Sequence, residues 1–233
     1  MIVRRPAAER GRTELGWLSS RHTFSFGEYS DPAHMGFRSL RVLNDDRVAP
    51  GGGFATHGHR DMEILSYVLA GSLEHRDNLG NGSVIRPGEI QFMRAGRGVM
   101  HSEYNPSPSD PVHFLQIWIL PRARGLDPGY AQHAFDRGVA RAGWLTLAAG
   151  DPAAGVIELA QDARMLVGIF AAGVGRTYAL PPERQAWIHV ALGGILINGT
   201  ALQAGDGVQV TDESALELAG VAPESEVLIF DLG

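Results

Sequence analysis

Two pairs of candidate metal ligands stand at one repeated spacing. His57 and His59 lie two residues apart in G-G-F-A-T-H-G-H-R-D-M-E, residues 52–63, and His101 and Glu103 lie two apart in G-V-M-H-S-E, residues 98–103. Successive side chains on a β-strand alternate between faces, so residues i and i+2 project the same way. Each pair therefore aims two donors at one place, with Ser102 facing away from the second. Two such pairs on neighbouring strands would surround an ion with three imidazole nitrogens and one carboxylate oxygen. One pair alone is ordinary strand decoration. Two, in a glycine-bracketed and strand-rich region, predict a metal site.

Those donors also bound the chemistry. Three neutral imidazoles and one carboxylate leave a divalent ion positive, with room for one or two exchangeable ligands. The chain has no cysteine, so no thiolate softens the site, and disulfides and cysteine nucleophiles are excluded. Histidine and carboxylate donors with open positions suit non-haem iron and oxygen chemistry, so Fe(II) is the first choice. Zn, Mn, Ni or Cu fit the same donors, and affinity order by itself favours copper or zinc. Such a site takes the oxygens of an enol or catechol, and Glu103 is placed to accept the hydroxyl proton as the catalytic base.

The elements that must position these residues read as short strands. From Arg38 onward, alternating or apolar runs such as E-I-L-S-Y-V-L-A-G and V-H-F-L-Q-I-W-I-L are cut by glycine, proline and asparagine. In the second run, Val112, Phe114, Gln116, Trp118 and Leu120 share one face and are nearly as apolar as the other, which predicts a strand buried on both sides. No window carries a sustained helical stripe. The class is all-β, a sandwich or barrel. The segment P-R-A-R-G-L-D-P-G-Y, residues 121–130, interrupts this rhythm and marks a boundary, dividing the chain into a metal-binding domain over 1–125 and a second barrel over 126–233. Asn198-Gly199 predicts a two-residue hairpin in the second half. That half offers only His133 and His189, far apart, so no metal site is expected there.

The residues quoted so far also carry a family resemblance. Gly51, His57, His59, Glu63 and Gly71, followed by Pro87, Gly88 and His101, resemble the two cupin motifs. More narrowly, R-H-T-F-S-F-G-E-Y, G-F-R-S-L-R-V-L-N-D-D, the segment from Gly52 to Gly71 and V-I-R-P-G-E-I-Q-F-M-R-A-G-R-G-V-M-H-S-E-Y-N resemble the pirin family over residues 21–120, and most of all its bacterial quercetinase-type members. I-L-I-N-G-T-A-L-Q-A-G-D-G is similar to that family's second cupin. The resemblance implies two tandem cupin-type, jelly-roll-like barrels, and a pirin ligand set of His57, His59, His101 and Glu103. Generic cupins use the carboxylate at Glu63 instead; on the pirin pattern Glu63 is a supporting or structural residue. The implied activity is flavonol dioxygenation, in which O2 opens the heterocycle and carbon monoxide leaves. Other pirins resemble a different description, a non-catalytic transcription cofactor whose metal redox state gates a protein partner, and this is the alternative.

Composition narrows the partners. The net charge is −6 and no basic stripe is present, which argues against direct nucleic-acid contact. The most apolar stretch, residues 114–120, is too short to span a bilayer. The N-terminus lacks a secretory apolar region, so a cytoplasmic location is expected; no signal forces a free barrel edge to pair with a second copy, so a monomer is expected. His75 and His113 are read as core or surface histidines, His22 and His34 carry no assignment, and Trp17, Trp118, Trp144 and Trp187 are read as core. Phe54, Met62, Met93 and Met100 suit either a barrel core or a flat aromatic substrate.

Overall fold

The computed structural model describes residues 1–233 and divides them into two compact units. One holds Gly11–Phe135 with Leu159–Gln161. The other holds Met1–Arg10, Asp136–Glu158 and Asp162–Gly233. Each is a cupin-like sandwich of a seven-stranded and a four-stranded sheet. Helix is confined to Arg137–Ala142 and a single 3-10 turn, and no helix is long and apolar enough to cross a membrane.

In the first unit the large sheet runs Gly129–Ala134, Glu89–Arg94, Glu63–Ala70, Val112–Ile119, Leu40–Val48, Leu18–His22, Gly11–Glu14. Val112–Ile119 is the central strand, which explains its apolar character on both faces. The small sheet runs Gly53–His59, Val99–Tyr104, Leu73–Asp77, Gly82–Ile85. Apolar side chains from both sheets meet between them. Leu73 and Ile85 of the small sheet pack with Leu18, Val68 and Phe114 of the large one, and Val99 packs with Ile64 and Met93.

The division falls after Phe135 rather than at 125/126, because Gly129–Ala134 completes the first unit's large sheet by pairing with Glu89–Arg94. The chain's first strand, Ile2–Arg5, pairs with Gly207–Val210 and so belongs to the second unit. Residues 159–161 belong to the first unit because the buried Glu63 carboxylate accepts the Ala160 backbone N–H at 2.8 and 3.0 Å. In the second unit Asn198 and Gly199 both have positive φ and join Gly194–Ile197 to Thr200–Gln203 in the expected hairpin.

Candidate metal centre

The four expected residues fall on two adjacent strands of the small sheet. His57 lies across from His101, and His59 across from Val99. Register then shifts: Glu103 faces Phe54, so three steps along Gly53–His59 match two along Val99–Tyr104. This bulge re-aims side chains beside the site. Gly53 permits the close approach that follows, since a Cβ there would sit 2.4 Å from the Glu103 carbonyl oxygen.

The three imidazoles meet. Donor nitrogens of His57, His59 and His101 all lie within 4.8 Å of one another, with ring centroids 4.5–4.8 Å apart. His57 Nδ1 donates to the Ala55 carbonyl at 2.8 Å. A carbonyl only accepts, so the hydrogen resides on Nδ1 and Nε2 presents its lone pair to the cluster. That Nε2 stands 3.1 Å from His101 Nε2. Two nitrogens bound at about 2.0–2.1 Å to one ion, at octahedral to tetrahedral angles, stand about 2.9–3.4 Å apart. Burial and the neighbouring His57 ring push His59 down to about 4. Burial, with the rings of His59, His57 and His75, pushes His101 down to about 2. Three imidazoles with donor nitrogens this close fit a divalent cation.

Glu103 is held from the opposite sheet. Its carboxylate is 2% exposed and accepts hydrogen bonds from Ser66 Oγ at 3.0 Å and Gln116 Nε2 at 2.7 Å. Burial pushes it up to about 7, against the lowering effect of those two bonds. It groups within 4.8 Å with His101 and with His75. Glu103 thus adjoins His101 and His75, but is not grouped with His57 and His59, while two neutral donors fix its carboxylate.

A cavity of about 270 Å³ opens onto the cluster, lined there by His57, His59 and Glu103. Leu18, Phe26, Phe54 and Trp118 supply an apolar wall, and His22, Asn44 and Asp46 a polar one. Two sequence-based assignments change here. Trp118 is not simply core: its ring stands edge-on to His59 at 4.9 Å and against Phe26 at 5.4 Å. His22, which had no assigned role, lines the cavity with Nδ1 at 2.9 Å from Asn44 Oδ1 and Nε2 at 2.8 Å from Thr13 Oγ1. Of the four aromatic and methionine candidates only Phe54 lines the cavity; Met93 is fully buried and Met100 is exposed. Glu63 is a structural carboxylate, paired to Arg94 Nε at 2.9 Å as well as to Ala160. His113 pairs with Asp45 at 2.8 Å and His34 with Asp31 at 2.7 Å, both apart from the cluster.

One further pair escaped the sequence reading. His75 and Asp77, on Leu73–Asp77, repeat the i, i+2 spacing, with Asp77 across from His101 and His75 across from Glu103. The signal was present as H-R-D, but nothing local says which strand lies beside the ligand strands.

Comparison with known proteins agrees with this architecture. Residues 4–119 match the Pirin family model, and residues 146–232 match the model of the quercetinase C-terminal cupin domain. The chain is 44% identical over 232 residues to a quercetin 2,3-dioxygenase of Escherichia coli strain K12, covering 100% of this chain and 99% of that one. It is 39% identical over 230 residues to a pirin-like protein of Caulobacter vibrioides, covering 98% and 99%. The nickel(II) complex of the bacterial pirin YhhW from Escherichia coli superposes with a TM-score of 0.94 at 43% identity, covering 100% and 99%.

Proposed function

The chain belongs to the pirin family, and from that premise we propose that it is a metal-dependent dioxygenase of the quercetinase type, with His57, His59, His101 and Glu103 holding one divalent transition metal. The observation that carries this reading is the pair of Nε2 atoms 3.1 Å apart at the wall of an aromatic-lined cavity. Fe(II) is the first choice of metal on donor chemistry, and the nickel complex of a relative supports a site tolerant of other divalent ions.

The substrate is a flavonol-like enol with O2 as co-substrate, supported by the names of the relatives and by the aromatic residues in the cavity wall. A divalent ion held by these residues supplies Lewis acidity, which lowers the pKa of a bound enol hydroxyl. Glu103 takes up that proton on its carboxylate as its bond to the metal loosens. Ser66 and Gln116 keep the carboxylate aimed while it does so. Phe26, Phe54 and Trp118 pack against a planar ring and exclude water. Both oxygen atoms of O2 remain in the ring-opened ester, and one heterocycle carbon leaves as carbon monoxide.

The test is aerobic incubation of quercetin with protein loaded in turn with Fe(II), Mn(II), Ni(II), Cu(II) and Zn(II), followed by absorbance and oxygen uptake. Metal-dependent bleaching that is lost in His57→Ala and Glu103→Ala is expected. Fully metallated protein that leaves quercetin and a panel of related enols unchanged overturns the reading.

A further inference from the structure

Three adjacent strands of the small sheet each present a pair at i, i+2: His57 and His59, His101 and Glu103, His75 and Asp77. The third pair lies behind the cluster, away from the cavity lining. His75 and its partner Asp77 both have 0% side-chain exposure, and the His75 ring sits between His101 at 5.2 Å and Tyr130 at 5.1 Å. Contacts run in a line from Asp77 Oδ2 to His75 Nε2 at 3.3 Å, from His75 Nδ1 to His101 Nδ1 at 3.4 Å, and from His101 Nε2 to His57 Nε2 at 3.1 Å.

Proton placement along that line follows once a cation takes the lone pairs of His57 Nε2 and His101 Nε2. Asp77 is ionised: burial works against its charge, but hydrogen bonds from Asn81, His75 and Leu79 hold it below the ordinary carboxylate value. An ionised carboxylate only accepts, so His75 carries its hydrogen on Nε2. Its Nδ1 is then a lone pair that accepts the hydrogen of His101 Nδ1, the tautomer that a cation at His101 Nε2 demands. His101 Nε2 is left with its lone pair facing His57. Both ring contacts are at the long end of the hydrogen-bond range, as suits links that orient rings more than they bind them.

We propose that Asp77 and His75 are positioning residues that set the tautomer and ring orientation of His101, so that one buried carboxylate two side chains away controls how tightly the cluster holds a metal. The inference rests on reading the cluster as a metal centre. Its physical basis is general: an outer partner on the second ring nitrogen fixes which nitrogen faces the ion, and losing it typically weakens metal binding about 10–100-fold. The usual carboxylate–histidine link is lengthened here by an intervening imidazole. The reason is register: Asp77 lies across the strand from His101, yet its carboxylate oxygens are occupied by the turn it closes, accepting from Leu79 N, Asn81 N and Asn81 Nδ2 at 2.8–2.9 Å.

The experiment combines ring-nitrogen NMR of zinc-loaded protein with zinc affinity measured by chelator competition, for wild type, His75→Leu, His75→Gln and Asp77→Asn. Zinc-loaded wild type should show His75 protonated on Nε2 and His101 on Nδ1. His75→Leu should bind zinc about 10–100-fold more weakly. His75→Gln, whose amide oxygen can accept from His101 Nδ1, should recover most of that loss. Asp77→Asn keeps an oxygen for the Leu79 and Asn81 N–H groups but offers an N–H to His75, so it should reverse the His75 tautomer and weaken zinc binding. A zinc-loaded wild type with His75 protonated on Nδ1, or folded His75→Leu and Asp77→Asn proteins that bind zinc as tightly as wild type, would overturn the proposal. So would His75→Gln as weak as His75→Leu. Neither readout uses substrate or turnover, so a protein inactive on flavonols leaves this outcome decided separately.

Discussion

Replacing Glu103 by glutamine should stabilise the metal-free protein at alkaline pH and have little effect at acid pH. Glu103 is 2% exposed and its carboxylate has only the Ser66 hydroxyl and the Gln116 amide as donors. Two neutral bonds do not replace the hydration of a full charge, and the group is pushed from 4.5 up to about 7. An acid with a higher pKa folded than unfolded binds its proton more tightly in the fold. The stability it confers is therefore fully present below about 4.5 and is lost as pH rises through about 7. At about 1.4 kcal/mol per pH unit, the gap between those values amounts to about 3 kcal/mol. Glutamine keeps the shape without the charge, and the Gln116 amide can turn its oxygen to accept from it. His59 and His101, both pushed down, act in the opposite sense: their stability is present above the ordinary histidine value and is lost on acidification. They are common to both proteins, so the difference between the two isolates residue 103. Urea unfolding of chelator-treated wild type and Glu103→Gln from pH 4.5 to 8.5 is the assay, with the curves expected to converge at the acid end and to separate by about 3 kcal/mol at the alkaline end. Zinc titrated into wild type at pH 6 should also release a proton that Glu103→Gln does not release. Parallel stability curves would refute the reasoning, because they would mean that the buried carboxylate is not paying for its charge.

Two other expectations concern the same unit. Zinc or nickel at a thousandfold excess over its dissociation constant should raise the unfolding free energy of the metal-free protein by about 4 kcal/mol, and His101→Ala should abolish that gain; an equal gain in the variant would place the metal elsewhere. Glu63→Ala removes the partner of Arg94 and the acceptor of the Ala160 N–H, so it should cost about 3–5 kcal/mol and expose residues 159–161 to hydrogen exchange while one metal per chain is still bound; loss of the metal without loss of stability would instead make Glu63 a ligand.

The candidate site was legible in the sequence to the extent that it is built from i, i+2 pairs. Alternation along a strand is a local property, so H-G-H and H-S-E announce shared faces wherever those strands end up. The same holds for the doubly buried run around Phe114 and for the Asn198-Gly199 hairpin, where backbone preference acts within two residues. H-R-D at 75–77 carried the same local signal as the other two pairs. It went unread because its meaning depends on lying beside Val99–Tyr104, a pairing between strands more than twenty residues apart.

The amino-acid order by itself determined the all-β class, the donor types, their shared faces and the absence of thiolate chemistry, since each follows from side-chain chemistry or from a period of two. Tertiary structure decided strand order and register: the bulge that sets Glu103 across from Phe54, the Ser66 and Gln116 donors from the opposite sheet, the place of Trp118 and His22 at the cavity, and the allegiance of residues 1–10 and 159–161. Those depend on which distant segments bury their apolar faces together, and free energy of that kind is a property of the packed whole.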